Sequence, residues 1–206
     1  MGFYARHILP VLLDAAMSSK PITYQRRKLV PRAEGRVLEI GFGAGHNLPF
    51  YDASKVTKLW ALEPSLEMRA RSKERLKDLP LAIEFLDLPG EEIPLEDKSV
   101  DTILITYTLC TIGDVMAALQ QMRRVLKPGG VMLFCEHGKA PDASAFRWQQ
   151  RIEPVWRRIG GGCHLTRAVP ELITACGFHI SDMDTMYLPG TPRFAGFNYW
   201  GSAQPR

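Results

Sequence analysis

Hydrophobic residues along the chain follow two alternating spacings. Runs of consecutive apolar residues are typical of strands buried on both faces, and they alternate with segments in which apolar residues recur every three or four positions, as on helices. The predicted strands are 36–40, 56–62, 82–86, 100–107 and 130–136, and the predicted helices lie near 46–51, 65–79 and 114–126. This alternation predicts an α/β fold with a parallel sheet and helices on both faces.

The two ends of the chain follow other patterns. Apolar residues keep helical spacing from Tyr4 to Ala15, with Pro10 at the start of a helix or at a kink, so residues 1–30 predict a helical cap. Beyond residue 137 we expect a helix over 143–159 and a second over 167–176, the latter with Thr166 as its N-cap and Gly177 as its stop. Two antiparallel strands, 178–186 and 194–202, should end one domain of 1–206, in which 36–136 is the core and 137–206 the substrate side.

Composition excludes several classes of protein. The chain of 206 residues has a net charge of +4, and its basic clusters (Arg26, Arg27, Lys28, Arg32; Arg147, Arg151, Arg157, Arg158) are interpreted as solvated helix faces, so no nucleic-acid partner is expected. The four cysteines (Cys110, Cys135, Cys163, Cys176) show neither a CxxC pair nor metal-ligand spacing, so we expect free thiols, no metal and a reducing, cytoplasmic location. No apolar run approaches a membrane span, and the start is a poor signal peptide.

A glycine-rich stretch, VLEIGFGAGHN, follows the first predicted strand. Gly41, Gly43 and Gly45 would let a ligand approach the backbone closely, and Glu39 completes an ExGxGxG pattern that differs from the GxGxxG of dinucleotide sites. Glu63 ends the second strand, where a carboxylate can accept hydrogen bonds from ribose hydroxyls or can stabilise a helix N-terminus. These residues alone leave NAD and S-adenosylmethionine open as ligands.

The stretches GEEIPLEDKSVD and LKPGG narrow the choice, because together with the glycine loop they resemble the class I S-adenosylmethionine-dependent methyltransferases over about residues 36–136. The resemblance implies a Rossmann-like, mostly parallel seven-stranded sheet with an antiparallel C-terminal strand, S-adenosylmethionine as cofactor and S-adenosylhomocysteine as product. Pro89 stands where the family usually has Asp, so adenine recognition is expected from backbone groups of 88–91 or from Asp87. The cofactor-binding residues implied are Glu39, Gly41, Gly43, Gly45, His46, Asn47, Glu63, Pro64, Pro89, Gly90, Glu91, Thr106 and Tyr107.

The segment EHGKAPDASAFRWQQRIEPVWRRIGGGCHLTR is similar to the methyltransferase-like 7 group, the alkyl thiol S-methyltransferases of animals, and to its bacterial relatives. This implies an enzyme that methylates a small apolar acceptor, with a thiol or sulfide as the first choice. The alternatives are a quinone, a phospholipid head group or a cofactor-binding protein without catalysis; a dinucleotide oxidoreductase is disfavoured by the glycine spacing. The animal members carry an N-terminal membrane anchor, whereas residues 3–18 here predict at most a peripheral membrane contact.

Three residues are candidates for the chemistry at the acceptor. A thiol with a pKa near 8.5 must lose its proton before methyl transfer, and a histidine could take it. His137 follows the fifth strand, His164 lies in GGGCHLTR, and Tyr107 ends the fourth strand. Arg167 is either a surface charge or a substrate contact, and Cys163 is a thiol near the site with no need to act as a nucleophile. The identity of the acceptor, the base and the oligomeric state stay open.

Overall fold

A seven-stranded sheet forms the centre of the computed structural model, which describes residues 2–77 and 79–206. The strands are β1 Gly35–Ile40, β2 Val56–Leu62, β3 Ile83–Leu86, β4 Val100–Thr106, β5 Leu126–His137, β6 Phe178–Tyr187 and β7 Phe197–Pro205. Their order in the sheet is β3-β2-β1-β4-β5-β7-β6. The pairs from β3 to β5 are parallel, and β7 is antiparallel to both of its neighbours. The predicted fold class is confirmed.

The helices cover the sheet and close one end of it. They are α1 Leu9–Met17, α2 Lys20–Leu29, α3 Leu66–Arg71, α4 Val115–Val125, α5 Ala143–Ile159, α6 Val169–Ala175 and α7 Arg193–Gly196, with a π-helical turn, Tyr4–Ile8, before α1. Among the described residues, no helix has both the length and the apolar composition needed to cross a bilayer.

Three predicted helices differ from those observed. The helix expected over 65–79 ends at Arg71, because Ser72 donates from both its backbone N–H and its hydroxyl to the Arg69 carbonyl and closes a tight turn. The segment 46–51 contains only one 3₁₀ turn, Leu48–Phe50. Thr166 is not an N-cap: its N–H donates to Glu153 Oε2, and α6 begins only at Val169.

The apolar runs are explained by burial on both faces of the sheet. Leu38 and Ile40 of β1 belong to a core that includes α4 and α6, whereas Val37 of the same strand packs with Leu29 and Val30 on the opposite face. Alternate residues of a strand point to opposite faces, so a central strand covered twice needs apolar residues at consecutive positions.

The strand order reverses at β1, which lies between β2 and β4. In open α/β sheets, ligands bind beyond the carboxyl ends of the strands at this switch point. The glycine loop leaves the sheet here, with Gly41 N and Phe42 N both donating to the Leu62 carbonyl at the end of β2. The topology therefore places the functional site above the ends of β1, β2 and β4.

Candidate active site

One cavity of about 640 Å³ lies at this edge of the sheet, within the size range of small-molecule sites. Its floor is the glycine loop and the ends of β1, β2, β4 and β5. Helix α1 closes it on one side, and the loop after α5 closes it on the other. The cavity thus joins residues predicted to bind a cofactor to residues predicted on the acceptor side.

The three loop glycines have different roles, although all have positive φ angles of 71°, 57° and 78°. A β-carbon at Gly41 would overlap the Thr108 side chain, and one at Gly45 would lie 2.9 Å from Leu48 Cδ1. At Gly43, the nearest atom would be Met68 Cε at 3.6 Å. Gly41 and Gly45 are therefore required by internal packing, whereas Gly43 borders open cavity. Gly45 is the one loop glycine that does not line the cavity.

Glu63 holds the glycine loop to the end of β2. Its carboxylate accepts hydrogen bonds from Gly43 N at 2.8 Å and from Ser65 N at 2.9 Å, and the side chain lines the cavity. Burial raises the pKa of Glu63, although the two backbone donors oppose this shift. The remaining lone pairs of the carboxylate can accept from a ligand's hydroxyl groups.

Glu39 and Arg26 form the centre of a buried polar network beneath the loop. Glu39 accepts from Asn47 Nδ2 at 2.9 Å and from Tyr51 OH at 2.7 Å, and burial raises its pKa to about 7. Arg26 is only 4% exposed and donates from Nη1 to Asn47 and Thr106. The interpretation of Arg26 as part of a solvated helix face was wrong, because α2 packs this residue against the end of the sheet.

Arg26 lines the cavity, and its guanidinium has no ion-pair partner in the part of the protein that the structure describes. Its buried Nε has no hydrogen-bond partner, and within 2–77 and 79–206 no carboxylate forms an ion pair with its guanidinium. A buried cation without a paired anion is costly. This residue therefore suits an anionic group of a ligand lying in the cavity.

Asp14 ties helix α1 over the cavity. Its carboxylate accepts from Arg71 Nε at 2.8 Å and from Arg75 Nη2 at 3.2 Å, and His46 Nε2 lies 2.8 Å from it, without the alignment of a good hydrogen bond. Burial raises the pKa of Asp14, but the hydrogen bond from Arg71 and the charges around it outweigh burial and lower the pKa overall. Burial lowers the pKa of His46 to about 4. Because the opposite face of α1 lines the cavity through Leu9 and Leu13, the helix is arranged as a lid.

A cluster of two thiols and an imidazole lines the cavity near the ends of β4 and β5. We call Cys110, His137 and Cys163 the acceptor-end cluster; one ligand atom from each lies within 4.8 Å of the others. His137 Nε2 lies 3.1 Å from Cys163 Sγ, and Trp156 Nε1 donates to the same sulfur at 3.2 Å.

Contacts within the cluster shift the pKa of each of its members. The pKa of Cys163 is lowered to about 4, first because its sulfur accepts from the Cys110 thiol and then because of His137 and Trp156, although burial opposes the shift. Burial lowers the pKa of His137, but the contact with the Cys163 sulfur outweighs it, so the net shift is upward. The pKa of Cys110 is raised by its hydrogen bond to Cys163 and by burial. Negative charge is therefore stabilised on Cys163.

Buried polar groups fix the loops that carry the cluster. Glu136 Oε1 accepts from Thr108 N and Leu109 N, and burial raises the pKa of this carboxyl to about 7. Arg167 donates to the Leu109 and Ile112 carbonyls. His164 N donates to the Cys110 carbonyl at 2.8 Å. Arg167 was predicted to be a surface charge or a substrate contact. Instead, it lies outside the cavity lining and holds the loop that carries Cys110.

Several predicted residues lie outside the cavity lining. His164 Nδ1 is 3.2 Å from Glu153 Oε1, so the structure pairs this histidine with α5. Glu91 Oε1 accepts from Asp114 N at the start of α4. Asp87 pairs with Arg69. The predicted residues absent from the lining are Gly45, Pro64, Pro89, Gly90, Glu91 and His164.

The other predicted residues come together in the one cavity. Those that line it are Glu39, Gly41, Gly43, His46, Asn47, Glu63, Thr106, Tyr107 and His137. Tyr107 has a φ of 55° and donates from its hydroxyl to Asn198 Oδ1 at 2.7 Å. Sequence reasoning missed Arg26, Cys110 and Asn198; they lie in separate segments, and no spacing pattern in the chain connects them.

Known proteins resemble this chain in sequence and in fold. The methyltransferase domain family matches residues 38–134. Human thiol S-methyltransferase TMT1B is 38% identical over 73% of this chain and 63% of its own, and human TMT1A is 32% identical over 66% and 57%. A possible histamine N-methyltransferase from Thermotoga maritima shares the fold, with a TM-score of 0.67 and 19% identity over 98% and 99% of the two chains.

The matched region contains the features that form the cofactor side of the cavity. Residues 38–134 include the glycine loop, Glu63 and the end of β4. The chain spans less than two thirds of the length of the thiol methyltransferases that it matches. Profile, relatives and fold agree that residues 38–134 form a methyltransferase domain.

Proposed function

We propose that this protein transfers the methyl group of S-adenosylmethionine to the sulfur of a small apolar thiol. The observation that carries the proposal is that one cavity is lined both by the glycine loop and Glu63 and by the acceptor-end cluster. The similarity to TMT1B, a thiol S-methyltransferase, supports the choice of acceptor.

The residues of the cavity fit S-adenosylmethionine. Glu63 would accept hydrogen bonds from the ribose hydroxyls, and the open space beside Gly43 would admit the part of the cofactor that lies against the backbone. The guanidinium of Arg26, which lines the cavity, suits the cofactor's carboxylate. When bound, the cofactor supplies an electrophilic methyl group on a sulfonium. The protein's own part is to orient the acceptor and to exclude water.

Apolar side chains dominate the acceptor end. Leu9 and Leu13 of the lid face Leu165, Leu188 and the indole of Trp156 around the same space. A long polar head group would leave its hydrogen-bonding groups unpaired there, at a cost of about 1–3 kcal/mol each. An apolar thiol needs only space for its sulfur and a group that favours loss of its proton. We assign this second role to the pair of His137 and Cys163, which are in contact.

Incubation with methyl-labelled cofactor tests the proposal. The panel should contain alkyl and aryl thiols, a hydroquinone and phosphatidylethanolamine vesicles. We expect labelled thioethers from the apolar thiols and at most traces from the other acceptors. Label in the quinone or lipid with none in the thiols would refute thiol methylation, and tight cofactor binding without turnover of any acceptor would refute catalysis.

Replacing Glu63 with alanine should weaken binding of S-adenosylhomocysteine by about 1–3 kcal/mol, or roughly five- to 150-fold. The change removes the proposed ribose acceptor and also the partner of Gly43 N and Ser65 N. Isothermal titration calorimetry measures the loss. Glu84→Ala is the control, because Glu84 lies outside the cavity and pairs with Lys58. An unchanged dissociation constant in Glu63→Ala would contradict the assignment.

Replacing Asp14 with alanine should loosen the lid, because it removes the shared partner of Arg71, Arg75 and His46. We expect S-adenosylhomocysteine to dissociate about tenfold faster, which corresponds to roughly 1.4 kcal/mol, with faster proteolysis of α1. Stopped-flow fluorescence and limited chymotrypsin digestion, which can cut after the leucines of α1, measure the two effects. His7→Ala is the control, since His7 belongs to the same segment but is exposed and lies outside the cavity lining. Equal behaviour of both variants would show that Asp14 does not hold the lid.

The outer face of the N-terminal segment supports a peripheral membrane contact, which we propose for residues 3–18. Phe3, Val11 and Leu12 are exposed beside the cationic Arg6, and such a face suits an anionic bilayer. Co-sedimentation with phosphatidylserine vesicles should decrease when Phe3, Val11 and Leu12 are changed to serine. Equal sedimentation of both proteins would contradict the membrane contact.

A further inference from the structure

We propose that Cys110, His137 and Cys163 bind one zinc ion whose fourth coordination position faces the cavity. The binding site stands on the geometry of these three side chains. The use of the zinc ion to hold the sulfur of the acceptor rests in addition on the proposed function.

The spacing of the three donor atoms suits a tetrahedral ion. Zinc binds thiolate sulfur at about 2.3 Å and imidazole nitrogen at about 2.0–2.1 Å, which places neighbouring donors roughly 3.5 Å apart. The atoms of the acceptor-end cluster all lie within 4.8 Å of one another, and His137 Nε2 is 3.1 Å from Cys163 Sγ. Small side-chain rotations therefore bring all three into coordination.

The chemistry of the donor set selects the ion. Two sulfurs and one imidazole nitrogen are ligands that zinc prefers, whereas magnesium and calcium require oxygen. Two thiolates neutralise the charge of a zinc ion, so the site carries no net charge in its apolar surroundings. The Trp156 indole, which donates to Cys163 Sγ, would stabilise a thiolate ligand further.

The three ligands lie far apart in sequence, and buried contacts hold them together. Cys110 is in the loop after β4, His137 ends β5, and Cys163 lies in the loop after α5. The carboxylate of Glu136 and the guanidinium of Arg167 both bind the backbone next to Cys110. The backbone bond from His164 to Cys110 joins the two cysteine loops. The site is thus arranged before any ion arrives, as in sites whose outer contacts orient the ligands.

The open position is directed where an acceptor would lie. All three ligands line the cavity, as do Trp156 and Leu165, and zinc sites that act in catalysis keep three protein ligands and one exchangeable position. A thiol entering that position forms a zinc–sulfur bond and releases its proton to solvent. Its sulfur lone pair then forms the new bond to the methyl carbon, and the electrons of the broken carbon–sulfur bond stay on the cofactor's sulfur. The thioether product is neutral and a weaker ligand, so it leaves; no oxidant or reductant is consumed.

Zinc binding is measured on the full chain without any acceptor. The reduced protein is stripped with a chelator, dialysed, and titrated with zinc sulfate in competition with a chromogenic chelator. We expect one zinc ion per chain. Cys110→Ser and Cys163→Ser should each lower the affinity about 100-fold or more, because each removes one of three protein ligands. Cys135→Ser and Cys176→Ser are matched controls, since both are buried free cysteines outside the cluster, and both should bind zinc like the parent protein.

A spectroscopic readout on the unmodified protein keeps the proposal testable if a variant fails to fold. Cobalt(II) added to the stripped protein should give a thiolate-to-cobalt charge-transfer band and the visible spectrum of a tetrahedral site. Less than about one tenth of an equivalent of bound zinc, or equal losses in the Cys163→Ser and Cys135→Ser variants, would overturn the site. A stripped enzyme that methylates thiols at the full rate would overturn the use of zinc and leave the proposed function standing. Zinc binding without turnover of any thiol would overturn the proposed function and leave the zinc site standing.

Discussion

Replacing Gly43 with valine should abolish binding of S-adenosylhomocysteine while the protein stays folded. A β-carbon at this position would lie 3.6 Å from Met68 Cε, its nearest neighbour outside residues 42–44, so it would project into the cavity rather than into the core. The backbone there has a φ of 57°, and a residue with a β-carbon in the left-handed region costs about 1–2 kcal/mol of stability. We expect the affinity for S-adenosylhomocysteine to fall more than about 100-fold, which corresponds to roughly 2.7 kcal/mol.

Calorimetric titration measures the affinity, and thermal unfolding measures the stability. Gly129→Val is a matched control, because Gly129 also has a positive φ, of 80°, with nothing within 4 Å of an added β-carbon, but it lies in β5 outside the cavity lining. The control should show a similar loss of stability and normal binding. Retained affinity in Gly43→Val, or equal losses of affinity in both variants, would contradict the assignment of Gly43 to the cofactor.

Replacing His137 with alanine should lower turnover of a thiol by about 10²–10⁴-fold, the usual contribution of a group that moves a proton at the reacting atom. The imidazole lies 3.1 Å from Cys163 Sγ in the acceptor-end cluster, whereas Glu63 accepts hydrogen bonds from Gly43 N and Ser65 N. The dissociation constant of S-adenosylhomocysteine should therefore change less than about threefold, or roughly 0.6 kcal/mol. The loss of turnover is expected whether the imidazole takes the proton itself or holds a zinc ion.

Single-turnover kinetics with the best thiol of the panel separate the two quantities. His179→Ala is the control, since His179 is exposed on β6 and lies outside the cavity lining. Equal losses of turnover and of cofactor affinity in His137→Ala would indicate that the histidine supports the structure of the site rather than its chemistry. His164 stays a predicted catalytic residue, and the same assay on His164→Ala tests it; its contact with Glu153 predicts a smaller loss than that of His137.

Local patterns brought Gly41, Gly43 and Glu63 to the cavity, although they missed Arg26, and Gly45, Pro64, Pro89, Gly90 and Glu91 lie outside its lining. Each strand that supports it is a run of apolar residues, and the glycine loop and Glu63 stand directly after strands, where parallel topology brings carboxyl ends together. Their meeting in one cavity follows from that topology. The predictions were poorer wherever side-chain contacts compete with periodicity, as at the early end of α3 and at Thr166, whose N–H donates to Glu153 rather than starting a helix.

By itself, the sequence determined the parallel sheet and the places of the glycine loop and of Glu63, because these depend on the spacing of residues within one or two elements. Only the tertiary structure decided that Arg26 is buried, that Asp14 binds Arg71, and that Cys110, His137 and Cys163 meet. Those features join segments that are far apart in the chain, and their positions depend on how whole helices and loops pack. No local spacing encodes such packing, since it is set by the burial and hydrogen bonding of the complete fold.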